Sequence, residues 1–176
     1  MNTVAGKDLA ARYLSNANGE RRRALITVLH IGAQQTRVMF CECMGELATS
    51  ADLQIGSVRT STEHLGCYPP TPAALENAIM VVEDEVARVR TLVAEGSVLI
   101  SDDASVREIA RVAGLDDRQV TELRLEAVEQ AFERLVTASL GRPASGLPAS
   151  ASFAGALLIL REFMHHLGFA SINIVH

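Results

Sequence analysis

Apolar and polar positions first alternate along this chain and then settle into a helical rhythm. Ala24 to Ile31 (ALITVLHI) is a β-branched and aliphatic run that Gly32 punctuates. Thr36 to Cys43 (TRVMFCEC) has period two. Arg37, Met39, Cys41 and Cys43 share one face, and Thr36, Val38, Phe40 and Glu42 share the other. Gly45 closes it, and Leu47 to Val58 reads as a third, more polar strand interrupted at Gly56. The short connections between these runs predict an antiparallel meander.

From Thr71 the rhythm changes. Thr71 before Pro72 sets a capping residue ahead of a proline at the first helical position. Leu75, Ile79, Val82, Val86, Val89 and Val93 then follow at steps of three and four, predicting a long helix that Gly96 ends. Ser97 to Ser101 reads as a short buried strand, Ser105 to Ala113 as a short helix stopped by Gly114, and Asp117 to Leu140 as a further helix. In that last helix Val120, Leu123, Ala127, Ala131 and Leu135 point inward. Ala144 to Ser152 is a Ser/Ala/Gly/Pro loop. Phe153 to Leu167 is apolar nearly all round in its first half, which predicts a helix buried between layers. Gly168 ends it, and Ser171 to Val175 is a last strand. The fold expected is α/β: a mixed five-stranded sheet, with a three-stranded antiparallel meander and then two parallel strands, and helices on both faces.

Composition narrows the function. At 176 residues and 48% apolar content, one domain with a sizeable core is expected. The apolar run Ala154 to Leu160, Gly155 included, the longest outside the strand-like pieces, is far short of the ~20 residues of a membrane span, and no basic-then-apolar leader opens the chain. Three cysteines argue against a disulfide framework, so a soluble, cytoplasmic protein is expected. A net charge of −5, with Lys7 the one lysine, argues against nucleic acid as partner. Arg21, Arg22 and Arg23 read as a solvated strand entry.

One succession of residues is specific. A hairpin whose turn carries Gly32 and Thr36 is followed by Leu53-Gln-Ile-Gly56-Ser57-Val58-Arg59-Thr60 and then a Pro-Pro-Thr-Pro helix start. With Val4 to Leu14, and Ala154-Gly-Ala-Leu-Leu-Ile-Leu ahead of Ser171-Ile172-Asn-Ile, this resembles the second domain of the exopolyphosphatase / guanosine pentaphosphate phosphatase family. The resemblance covers nearly the whole chain. It implies a ribonuclease-H-like, actin-like domain over residues 23–176, entered by a helical segment over 1–22. It also implies an active site in a cleft between two domains, with the catalytic glutamate on the first.

The ligand-facing loops depart from that pattern. The family's Asp-Ile-Gly-Gly-Gly-Ser-Thr-Glu, whose glycines let backbone N–H groups close on a phosphate, is here His30-Ile31-Gly32-Ala33-Gln34-Gln35-Thr36-Arg37. A Gln at a position of positive φ costs ~1 kcal/mol and fills the phosphate's space. The family's second loop, Gly-Gly-Thr, is here Asp103-Ala104-Ser105, whose carboxylate repels an anion; with Asp102 it reads as a cap and dipole complement for the next helix. A third loop has Ser150-Ala151-Ser152 in place of Arg-Ala-Asp. His30, Gly32, Ala33, Gln34, Gln35, Thr36 and Arg37 are thus a remnant phosphate-binding loop, and Asp103, Ala104 and Ser105 a second ligand-facing loop. No catalytic residue is assigned.

Remaining constellations read as structure. Cys41 and Cys43, with Cys67 and His64 as conceivable companions, lack the spacing of a zinc knuckle. His165-His166 reads as complementing a helix C-terminus, and Glu76, Glu83, Asp84 and Glu85 as a solvent-facing acidic stripe. The expectation is a stand-alone, non-catalytic domain of binding or regulatory role, acting through self-association or a protein partner, with no metal site or cofactor. The alternative is a Mg²⁺-dependent phosphoanhydride hydrolase, acting on polyphosphate or guanosine pentaphosphate, that needs a second domain or a dimer. In it Arg37, Arg59 and Arg21 to Arg23 replace the lost backbone contacts. A non-hydrolysing actin-like nucleotide-binding module is a third reading, against which the lost Gly-Gly-Thr loop speaks.

Overall fold

The computed structural model describes residues 3–16, 25–41, 47–115 and 122–175. Arg21, Arg22, Arg23, Cys43 and Val120 lie outside them. Ile26–Ile31 (β1) and Thr36–Cys41 (β2) form the predicted hairpin, with Ile31 opposite Thr36 and His30 opposite Arg37. Leu47–Leu53 (β3) pairs antiparallel with β2, completing the meander. Val98–Ser101 (β4) and Ser171–Ile174 (β6) add on in parallel. The sheet has one strand more than expected. Among the described residues it is six-stranded, in the order β3-β2-β1-β4-β6-β5.

The extra strand, Glu122–Arg124 (β5), is cut from what reads as the start of a long helix; Asp117 to Thr121 lie outside the described residues. Leu123 is fully buried between exposed Glu122 and Arg124, and all three pair antiparallel with Ser171–Asn173. Three residues of period two next to an open sheet edge bond outward to β6, and the helical rhythm takes over only at Leu125.

Among the described residues, six α-helices pack on the two faces. Thr3–Asn16 (α1) lays Leu9, Ala10 and Leu14 on Ile26, Val28, Met39, Cys41 and Ile100. The alternation of β2 sends Val38 and Phe40 to the other side. There Pro72–Ala87 (α3), Ala104–Val112 (α4), Leu125–Ser139 (α5) and Ala151–Leu167 (α6) bury the main core. Thr71 caps α3 as predicted, its hydroxyl accepting from Ala74 N–H at 3.2 Å. Every residue from Phe153 to Leu160 is buried, because α6 is packed by α3, α4 and α5 as well as by the short helix Ser57–Thr60 (α2).

That short helix is a second correction. The run Leu47 to Val58 is not one strand: it ends at Leu53, and Gly56 starts α2 and a following π turn over Ser61–Leu65. The cause is tertiary. Ser57 N–H donates to Gly32 carbonyl at 2.9 Å, and Val58 and Arg59 N–H both donate to Ala33 carbonyl at 3.0 Å. The β1–β2 turn thereby supplies the acceptors that an isolated helix start lacks. Gly56 is needed because a Cβ there would sit 2.5–2.6 Å from backbone atoms of Ala33, Gln34 and Gln35.

Candidate functional site

The loops at the C-terminal ends of β1 and β4 meet at one end of the strands, in the middle of the sheet, and the two predicted ligand-facing loops meet with them. Asp103, 8% exposed, turns its carboxylate away from α4 and onto β1. Its Oδ2 accepts from Ile31 N–H at 2.6 Å, and its Oδ1 lies 2.6 Å from His30 Nδ1. Asp103 N–H donates in turn to Ser101 Oγ at 3.1 Å. The expected capping role is therefore not what the side chain does: Asp103 stands at the N-cap of α4 without bonding a helix N–H. A buried N–H on β1 competes for the carboxylate and wins, since leaving it unpaired costs ~1–3 kcal/mol.

The hairpin turn is closed by backbone bonds to itself and to α2. Gly32 N–H donates to Gln35 carbonyl at 3.0 Å, and the carbonyls of Gly32 and Ala33 face the start of α2. Neither Gly32 nor Gly56 has left-handed backbone; the glycines that do are Gly66, Gly96, Gly114, Gly141, Gly146 and Gly168. The turn closes on α2 through the Gly32 and Ala33 carbonyls. Ala33, Gln34 and Gln35 stand exposed, while Thr36 is buried with its hydroxyl unpartnered.

His30, Gly32, Ala33, Gln34, Gln35, Arg37 and Asp52 line a shallow hollow of about 260 Å³. Arg37 is held there by a partner that sequence reading missed. Its Nε and Nη2 donate to the two carboxylate oxygens of Asp52, at 2.6 and 2.7 Å. That bond raises the Arg37 pKa and holds Asp52 below the usual carboxylate range. Arg37 opposes both His30 on β1 and Asp52 on β3, so register alone sets His30, Arg37 and Asp52 in a row across three strands. Asp52 was legible in principle, as a polar residue on a strand of alternating pattern; its register was not.

Other candidates are placed elsewhere. Arg59 donates to Glu63 at 3.1 Å and to Gln54 at 3.2 Å. Ala104 is exposed on the first turn of α4, where the Ser105 hydroxyl is buried without a hydrogen-bond partner. Ser150 caps α6, its Oγ accepting from Phe153 N–H at 3.2 Å. Cys41 is buried, which pushes its thiol pKa up, whereas Cys67 is exposed with its Sγ on Pro69 carbonyl. The end of α6 is closed by left-handed Gly168 and by Phe169 N–H on Met164 carbonyl, so His165 and His166 are released from capping. They reach Glu129 and Glu83 instead. The acidic stripe is likewise only partly solvated: Glu76 and Asp84 are exposed, but Glu85 accepts from Gln54 N–H at 2.7 Å and anchors the end of β3.

A mixed sheet with this order, a leading meander and a central buried helix make an α/β domain with an actin-like fold. Among solved structures it is similar to the Aquifex aeolicus Ppx/GppA phosphatase in its type II variant, with a TM-score of 0.73 and 14% identity over 96% of this chain and 58% of that one. An exopolyphosphatase-like protein gives 0.69 and 17% over 98% and 60%, and an exopolyphosphatase from Cytophaga hutchinsonii 0.69 and 10% over 97% and 59%. The chain therefore spans less than two thirds of the structures it matches, and at these identities the likeness is one of fold. No family model matches the sequence, and no curated protein does.

Proposed function

We propose that this chain is a binding or regulatory domain of the exopolyphosphatase / guanosine pentaphosphate phosphatase type, non-catalytic on its own. It acts in the cytoplasm through self-association or a separate protein partner. The observation that carries this reading is the buried Asp103 carboxylate bonded to Ile31 N–H and His30. It puts a negative charge between β1 and the start of α4, at the end of the strands where the resembled family faces a phosphate with glycines. A phosphate brought there meets like charge. The hairpin adds carbonyls turned to α2 rather than a nest of N–H donors. No resident cofactor is part of this reading, and Mg²⁺ enters only with a phosphorylated ligand.

A second reading is favoured by the hollow itself. His30, with Nδ1 engaged by Asp103, lines it together with Gly32 and Arg37. That arrangement suits a half-site of a Mg²⁺-dependent phosphoanhydride hydrolase, for polyphosphate or guanosine pentaphosphate, completed by a second domain or by a dimer.

A thermal-shift titration separates the two. The ligands are polyphosphate, guanosine pentaphosphate, ATP and orthophosphate, each with and without Mg²⁺. A ligand at about 100 times its dissociation constant stabilises by ~2.7 kcal/mol, which moves the midpoint by several degrees. The first reading expects no shift, together with a gel-filtration mass above the monomer or a recovered protein partner. A Mg²⁺-dependent shift overturns it in favour of the half-site.

A further inference from the structure

The last turn of α6 lies at the opposite end of the parallel strands from the hairpin, since α6 starts against Ser57 and runs back to enter β6. There His166 Nε2 stands 3.0 Å from Glu83 Oε1 on α3 and 3.2 Å from Glu162 Oε2, one turn earlier on α6. The three atoms all lie within 4.8 Å of one another. Glu162 is 0% exposed. Its Oε1 accepts from Arg161 Nη1 at 2.5 Å, but its Oε2 is buried with no hydrogen-bond donor. His166 does not supply one. Its Nε2 is hydrogen-bonded to Glu83, and its 3.2 Å approach to Glu162 Oε2 is not aligned as a hydrogen bond. A buried carboxylate oxygen aimed at a ring nitrogen and left unpaired is costly, and it calls for a cation.

We propose that Glu83, Glu162 and His166 hold a divalent transition-metal ion of the Zn²⁺ or Mn²⁺ kind, each giving one atom. The two spacings from His166 Nε2 suit such an ion, and the two carboxylate oxygens lie within 4.8 Å of each other. Donors about 2.0–2.1 Å from an ion stand about 2.9 Å apart at right angles and about 3.4 Å apart in a tetrahedron, and the two distances from Nε2 fall between. A neutral imidazole beside two carboxylates suits these ions better than Mg²⁺ or Ca²⁺, which take oxygen. Support around the ligands is present. Arg161 fixes the far oxygen of Glu162, and is itself gripped by Glu129 at 3.1 Å to both oxygens and laid over the Phe132 ring. Glu83, Glu129 and Glu162 outnumber the neighbouring guanidiniums, Arg161 and the Arg90 that donates to His166 carbonyl, so the balance is negative. Glu83 and His166 are 40% and 32% exposed, and His166 opens on a hollow of about 320 Å³, which gives the ion a way in.

Isothermal titration of the untagged, chelator-treated chain with Zn²⁺, then with Mn²⁺, tests this. One equivalent is expected, bound at least tenfold more weakly by Glu83→Gln and by His166→Ala, with Cys67→Ser unchanged. Co²⁺ in the same protein is expected to give the visible absorption of a four- or five-coordinate site, lost in both variants. Circular dichroism checks that each variant is folded. Absence of stoichiometric uptake by the unaltered chain overturns the proposal and leaves an ion pair among the three residues. Uptake that survives both substitutions overturns it as well.

Discussion

At residue scale Asp103 ties the end of β1 to the start of α4. Its carboxylate satisfies Ile31 N–H and engages His30, and in doing so it closes the ends of β1 and β4 with negative charge. Asp103→Ala leaves that buried N–H without an acceptor and is expected to cost ~1–3 kcal/mol, read as a lowered urea midpoint. The Arg37–Asp52 pair is of a different kind. Its members are 33% and 38% exposed, so solvent screening limits it to ~0.2–1 kcal/mol in spite of its two-point geometry. Arg37 depresses the folded-state pKa of Asp52 below its unfolded value. The stabilisation is therefore full above the ordinary aspartate range and fades as pH falls through the folded value. Unfolding midpoints of Asp52→Asn and the unaltered chain should differ at pH 7 and converge in strong acid; a gap that stays constant into acid would count against the pair.

The elements are held in register by contacts of backbone on backbone. A Cβ on Gly155 would stand 2.3 Å from Ser57 carbonyl oxygen, so α6 approaches α2 more closely than any other residue allows. Gly155→Ala is expected to cost ~1–3 kcal/mol by overpacking and to disturb the α2–hairpin bonds, which hydrogen exchange at Ser57 and Val58 N–H would report as faster exchange. These same bonds explain why the sequence misleads here. Ser57-Val-Arg-Thr60 has strand-like composition, and nothing local announces that Gly32 and Ala33 carbonyls wait for its N–H groups. Glu122-Leu-Arg124 errs in the opposite sense: Leu123 continues a helical spacing, yet an open edge of β6 takes it as a strand. By contrast the period of β2 assigned Met39 and Cys41 to one face and Val38 and Phe40 to the other correctly, because alternation follows from strand geometry alone.

At the scale of the molecule, two cores of unequal size enclose the sheet. The smaller depends on α1, whose Leu9, at 1% exposure, covers Ile26, Val28 and Ile100. Leu9→Ala is expected to cost ~2–5 kcal/mol by urea unfolding, which would show α1 to be part of the folded unit; a loss near zero would make it an accessory arm. Among the described residues no helix is long and apolar enough to cross a membrane, in keeping with a longest apolar run well under a membrane's thickness. The two polar clusters sit at opposite ends of the parallel strands, so events at the hairpin end and at the end of α6 can be tested separately.

By itself the sequence determined the class of fold, the meander, the capped start of α3 and the buried helix. Each of these is written in local periodicity, or in the backbone needs of single residues. The tertiary structure alone decided where the polar groups point. Asp103 turns to β1 instead of capping α4, Asp52 meets Arg37 through register, and His166 finds Glu83 on another helix and the fully buried Glu162 on its own. A polar side chain takes whichever partner lies within about 3 Å once the core has closed, and that distance is not a property of neighbours along the chain.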